Sequence, residues 1–195
     1  MDVALGFATH SGWAVAVAAG LDGDGGLRVV ERRRVELTDP HLPRQPYHAA
    51  HDRSRADGER LVAEVVASIA DRSSAVLDTL AAAVGDAHTV AAVGVVGEER
   101  PIPDLATVLA SHPLMHSTEG EIYRRGLADA AAERDLPVVR TGIRALVDRV
   151  GEALGWSPDR LAGEQARARA AIGPPWQKDH KDATAAALIA LSTQP

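Results

Sequence analysis

The run Thr89-Val90-Ala91-Ala92-Val93-Gly94-Val95-Val96 carries no charge and no helical spacing. A continuous stretch of β-branched and small apolar residues reads as a central strand buried on both faces. Such a strand needs a layer of helix above it and another below. That requirement confines the chain to an α/β sheet. The run stops at Gly97-Glu98-Glu99, so two carboxylates stand at the C-terminal tip of a buried strand. Tips of that kind are where sites are built in α/β sheets.

The flanking segments supply the layers. Leu61, Val65, Ile69, Val76, Leu80 and Val84 recur near helical spacing, and Gly85-Asp86 ends that helix. After the strand, Arg100 to His116 reads as a proline-containing loop with at most one helical turn. Ser117 or Thr118 is the expected cap of the next helix, with Glu119 and Glu121 in its first turn. That helix is expected to run to about Arg134 and to bury Ile122, Leu127 and Ala131. Leu136 to Arg140 reads as a short strand and Ile143 to Leu154 as a helix. Ser157-Pro158 reads as an N-cap and N1 proline.

The first 40 residues predict three strands. Val3 to Phe7 is apolar, and Thr9-His10-Ser11-Gly12 carries turn formers. Trp13, Val15 and Val17 then alternate with Ala14, Ala16 and Ala18. Leu21-Asp22-Gly23-Asp24-Gly25-Gly26 is a hairpin signal. Its spacing also suggests a calcium loop, but the distal acidic ligand would fall at Val29, so the turn is the better reading. Leu27 to Leu37 reads as the third strand. It puts Leu27, Val29, Val35 and Leu37 on one face, interrupted by Glu31 and Arg33, and Arg28, Arg32 and Arg34 on the other, solvated face. Asp39 to Gly58 reads as a polar surface loop holding His41, His48 and His51. His48 and His51, with Asp52, could ligate a metal there.

The chain ends in Lys178-Asp179-His180-Lys181-Asp182 leading into an Ala-rich helix. Asp179 and Asp182 are three apart, so on a helix they share one face at its N-terminal end. The helix dipole favours carboxylates there. The pair could hold a divalent cation if other carboxylates reach it.

Bulk properties exclude several classes. The 195 residues suit one domain spanning 1–195. Cysteine is absent, which removes disulfide scaffolds, thiol nucleophiles and thiolate metal sites. No apolar run is long enough for a transmembrane helix, and the start lacks a basic leader, so a cytoplasmic protein is expected. The net charge of −6 argues against generic nucleic-acid binding, which needs clustered Lys and Arg.

The element order predicts an antiparallel meander of three strands followed by two parallel strands, with helices on both faces. In that order the sequence resembles the ribonuclease H-like fold, and within it the RuvC-type resolvase branch. Val3-Ala4-Leu5-Gly6-Phe7-Ala8-Thr9-His10-Ser11-Gly12-Trp13-Ala14 resembles that family's first hairpin. Val93-Gly94-Val95-Val96-Gly97-Glu98 resembles its fourth strand with the terminal glutamate. Glu121 to Val139 resembles the following helix and entry to strand five. Asp179-His180-Lys181-Asp182-Ala183 resembles its closing acidic helix.

The resemblance implies phosphodiester hydrolysis with two divalent metals, Mg²⁺ or Mn²⁺. By matching position, Glu98, Asp179 and Asp182 would carry the site, with Glu99 as a substitute for Glu98. The first-strand aspartate that bridges both metals in the family is Ala8 here. Two expectations follow. One is a metal-dependent endonuclease with an altered site, acting on branched or single-stranded DNA as a homodimer. The other is a catalytically silent binding or assembly module of the same fold. A likeness to sugar kinases and actin fits less well, because Thr9-His10-Ser11-Gly12 is a poor match to their glycine-rich phosphate loop.

Overall fold

A computed structural model describes residues 1–193. Five strands form one mixed sheet in the order β3-β2-β1-β4-β5. The strands are β1 (Asp2–His10), β2 (Trp13–Leu21), β3 (Leu27–Glu36), β4 (Thr89–Val96) and β5 (Val138–Thr141). The first three pair antiparallel, while β4 runs parallel to β1 and β5 parallel to β4. The helices are α1 (Pro46–Ala50), α2 (Arg55–Val84), α3 (Leu105–Leu109), α4 (His112–Ala132), α5 (Leu146–Leu154), α6 (Pro158–Ile172) and α7 (Lys178–Ser192). Among the described residues no helix is long and apolar enough to cross a membrane.

Alternation along β1 explains the two layers. Val3, Leu5 and Phe7 enter one core with Leu61, Val65, Ile69 and Leu77 of α2 and Ile122 and Leu127 of α4. Ala4 and Ala8 enter a second core with Ala183, Ala187 and Ala190 of α7. Because the middles of β1 and β4 are covered on both sides, Val3 to Ala8 and Val90 to Val96 are apolar without interruption. Gly6 and Gly94 are register partners on the α7 side. A Cβ on Gly6 would lie 1.8 Å from the Ala183 carbonyl oxygen, and one on Gly94 2.1 Å from that of Ala186. The two glycines therefore let α7 settle on the sheet backbone itself.

Four expectations are corrected. First, β3 is bulged. Ala18 pairs with Glu31 and Ala19 with Val29, which leaves Val30 extra. The extra residue switches the faces. Val35 and Leu37 enter the core under α2 and α4, whereas Leu27 and Val29 pack toward α7. Arg32 is not on a solvated face, since it donates to the Ile172 and Pro174 carbonyls. Second, α4 starts at His112, six residues before Thr118. Pro113 sits in its first turn, where a missing N–H costs nothing, so proline opens this helix instead of prolonging the loop. Glu119 and Glu121 consequently lie mid-helix and are buried. Third, α5 begins at Leu146 and leaves Ile143 exposed. Fourth, the segment Asp39 to Gly58 holds α1 and the start of α2, which Ser54 caps. Asp22 Oδ1 accepts from the Asp24 and Gly26 N–H groups, which makes the glycine-rich segment the expected turn.

Candidate functional site

The C-terminal ends of β1, β4 and β5 converge on a cleft of about 730 Å³. Thr9, Val96 and Glu98 line it together with His116 and three arginines, Arg100, Arg124 and Arg144. Glu98 leans over Gly142, where a Cβ would come within 2.8 Å of Glu98 Oε1. A side chain at 142 would push the exposed Glu98 carboxylate into another rotamer. Arg124 is anchored by Glu121, whose oxygens Arg140 also grips at 2.7 and 2.8 Å. Burial pulls the Arg124 guanidinium below its ordinary pKa, and Glu121 opposes the shift. For Glu121 burial acts upward, but Arg140 and then Arg124 outweigh it and hold the carboxyl below the usual range. Arg100 and Arg144 are exposed, and among the described residues their side chains have no hydrogen-bond or ion-pair partner.

The expected site residues are distributed as follows. Glu98 is in the cleft, whereas Glu99 borders a separate hollow beside Arg125 and Arg140. Asp179 lies in the first turn of α7 and meets His10 Nε2 at 2.9 Å. The His10 ring stacks on Trp13 at 4.1 Å, and Trp13 also carries the Arg34 guanidinium at 3.9 Å. Asp179 borders this hollow, along with Trp13, Arg32, Arg34 and His180, and not the cleft of Glu98. Asp182 is largely covered and accepts a charged hydrogen bond from Lys178, one turn earlier. Neither aspartate caps α7. Gln177 does, in a reciprocal pair with His180, whose Nδ1 accepts the Gln177 N–H at 3.2 Å. Ala8 is buried on the α7 side of β1.

One group was missed by sequence reasoning. His48, His112 and His116 bring one ring nitrogen each to within 4.8 Å of one another. Among the described residues this is the set of His or carboxylate side chains that converges closely enough to hold an ion. His48 therefore does not join His51 and Asp52, both of which are exposed, and it is not a plain surface residue. The spacing of His112 and His116, i and i+4, was the available signal. Pro101, Pro103 and Pro113 mask it, because they make the segment read as a loop.

No protein-family model matches the chain, and no curated protein matches it by sequence. Solved structures do match. RuvC of Thermus thermophilus aligns over 96% of this chain and 92% of its own, with TM-score 0.55 and 18% identity. T. thermophilus RuvC in complex with a Holliday junction substrate aligns over 96% and 91%, with the same TM-score and identity. The chain has the ribonuclease H-like, RuvC-type fold.

Proposed function

We propose that this chain binds branched or single-stranded DNA in the arginine-lined cleft, without the two-metal hydrolysis that the RuvC likeness implies. The observation that carries the reading is the cleft itself. Arg100, Arg124 and Arg144 surround the carboxyl ends of the central strands. Of these, Arg100 and Arg144, whose side chains have no partner among the described residues, are free to neutralise phosphates, which supplies affinity even on a chain of net charge −6. The structure of T. thermophilus RuvC with its junction substrate supports a four-way junction as the first ligand to try. The symmetry of such a junction suits a homodimer.

The residues present do not fit a pair of Mg²⁺ or Mn²⁺ ions. Ala8 offers no oxygen between them. Glu98 and Asp179 border different hollows, and Asp179 and Asp182 each meet a basic side chain of the chain itself. No catalytic step is routed through that set.

The test is fluorescence anisotropy with labelled junction, single-stranded and duplex DNA at several salt concentrations. Binding is expected to weaken with salt, and each of Arg100→Ala and Arg144→Ala should lower the salt slope by about 1. Unchanged binding by the double variant, or none at low salt, overturns the reading. A second reading, an endonuclease with an altered metal site, is favoured by the place of Glu98 in the cleft. It requires junction cleavage in Mg²⁺ or Mn²⁺ that Glu98→Gln and Asp182→Asn abolish. Such turnover would replace the silent-module reading.

A further inference from the structure

We propose that His48, His112 and His116 form a three-histidine site for Zn²⁺ or a similar first-row divalent ion, with Glu119 as its supporting carboxylate. His112 and His116 stand one turn apart at the start of α4. Their Nε2 atoms are 3.1 Å apart. Two nitrogens bound to one tetrahedral zinc, each at about 2.0–2.1 Å, are separated by about 3.3 Å. The spacing is therefore close to that of a chelating pair before any rearrangement.

His48 arrives from α1 and packs against both rings, with centroids 5.0 Å from His112 and 4.4 Å from His116. Its orientation is set from behind. Glu119 Oε1 accepts the His48 backbone N–H at 3.1 Å and the ring Nδ1–H at 2.9 Å. That bond places the proton on Nδ1 and leaves the Nε2 lone pair free as a ligand. His48 Nε2 is buried and has no hydrogen-bond partner, and neither has Glu119 Oε2. Buried polar atoms are rarely left alone. A cation at Nε2 would satisfy the first directly. Through the polarised Nδ1–H, it would also offset the charge of a carboxylate that is 1% exposed.

The donor set narrows the ion. Three neutral imidazoles with no thiolate suit Zn²⁺, Co²⁺, Ni²⁺ or Cu²⁺ and disfavour Mg²⁺ and Ca²⁺, which take oxygen ligands. Three protein ligands leave a fourth position for water, since His112 and His116 are exposed to solvent. His116 also lines the arginine cleft, so the ion would sit on its wall. The site is independent of whether DNA binds there.

The experiment uses the untagged full chain, stripped with chelator and titrated with Zn²⁺ by calorimetry and with Co²⁺ by visible absorption, in the absence of DNA. One equivalent is expected, with the intense d–d bands of tetrahedral Co²⁺ and a Zn²⁺-dependent rise in Tm. His112→Ala/His116→Ala should weaken binding at least about 100-fold, and Glu119→Gln by about 10- to 100-fold. Both exposed histidines can be removed without disturbing a core, so circular dichroism should stay native. His51→Ala should bind as the parent does. Equal binding by the double variant and the parent, or less than half an equivalent bound by a folded parent, overturns the assignment.

Discussion

Gly6→Ala tests the seat of α7 on the sheet. A Cβ at position 6 meets the Ala183 carbonyl oxygen at 1.8 Å, whereas contacts of that kind do not fall below 3.0 Å, so α7 must lift by at least about 1.2 Å. The obstacle is backbone and cannot rotate away. Gly94 lies beside Gly6 in register, so the sheet offers no alternative seat. Beneath and along α7, Ala183, Ala186, Ala187, Leu188 and Ile189 are all at 1% exposure or less. A gap of about 0.5–1 Å already forfeits about a quarter to a half of a dispersion contact, and here the gap would run the length of the helix. Overpacking a core costs about 1–3 kcal/mol when side chains can adjust. With a rigid carbonyl in the way the loss should be about 3 kcal/mol or more, out of a total of about 5–15. Gly163→Ala is the matched control. Position 163 is an exposed interior site of α6 with nothing within 4 Å of the added carbon, so the same change should stabilise by about 0.5–1 kcal/mol. Urea unfolding followed by far-UV circular dichroism gives both values. If Gly6→Ala falls within about 1 kcal/mol of the parent, or is no less stable than Gly163→Ala, the account of this contact is wrong.

Two further predictions follow from buried charge. Burial, then Arg32, lower the His180 pKa, and Asp179 opposes them. A histidine depressed in the folded state binds fewer protons than the unfolded chain, so its contribution is intact above about pH 6.5 and is lost as pH falls through its lowered value. Protonation would also remove Nδ1 as acceptor for the Gln177 N–H. Tm should therefore drop between about pH 7.5 and about 5.5, with a shallower drop in His180→Asn, and equal slopes would refute it. Arg140→Ala should cost about 3 kcal/mol in urea unfolding, because it removes both short bonds to the fully buried Glu121 and leaves it Arg124 at 3.2 Å and Arg125 at 4.0 Å. With its pKa held low, Glu121 contributes stability above about pH 4.3 that is lost as pH falls through that lowered value. A loss under about 1 kcal/mol would mean that the pair is worth no more than a surface bridge.

Local chemistry determined most of the architecture. The uncharged run Thr89–Val96 is β4 to the residue, and the alternation of Trp13 to Ala18 is β2. Gly85 ends α2, and Ser157 with Pro158 opens α6. These signals are carried within one or two turns of chain, and short-range sterics and caps need no partner to be read. The antiparallel and parallel senses of the strands followed from the same signals, since parallel pairing requires helical crossovers.

What only the tertiary structure decided is where distant side chains meet. The bulge at Val30 depends on how β3 registers with β2, and no local preference announces it. Asp179 finds His10 across 169 positions, so a carboxylate pair that looked available has a partner already. Glu98 and Asp179 sit at the same end of the sheet yet border different hollows. His48 joins His112 and His116 over a separation of more than 60 residues, held by a glutamate on the following turn of α4. Each of these depends on the relative placement of elements. Periodicity sets which face of an element is buried, but only packing sets which side chains of two elements touch.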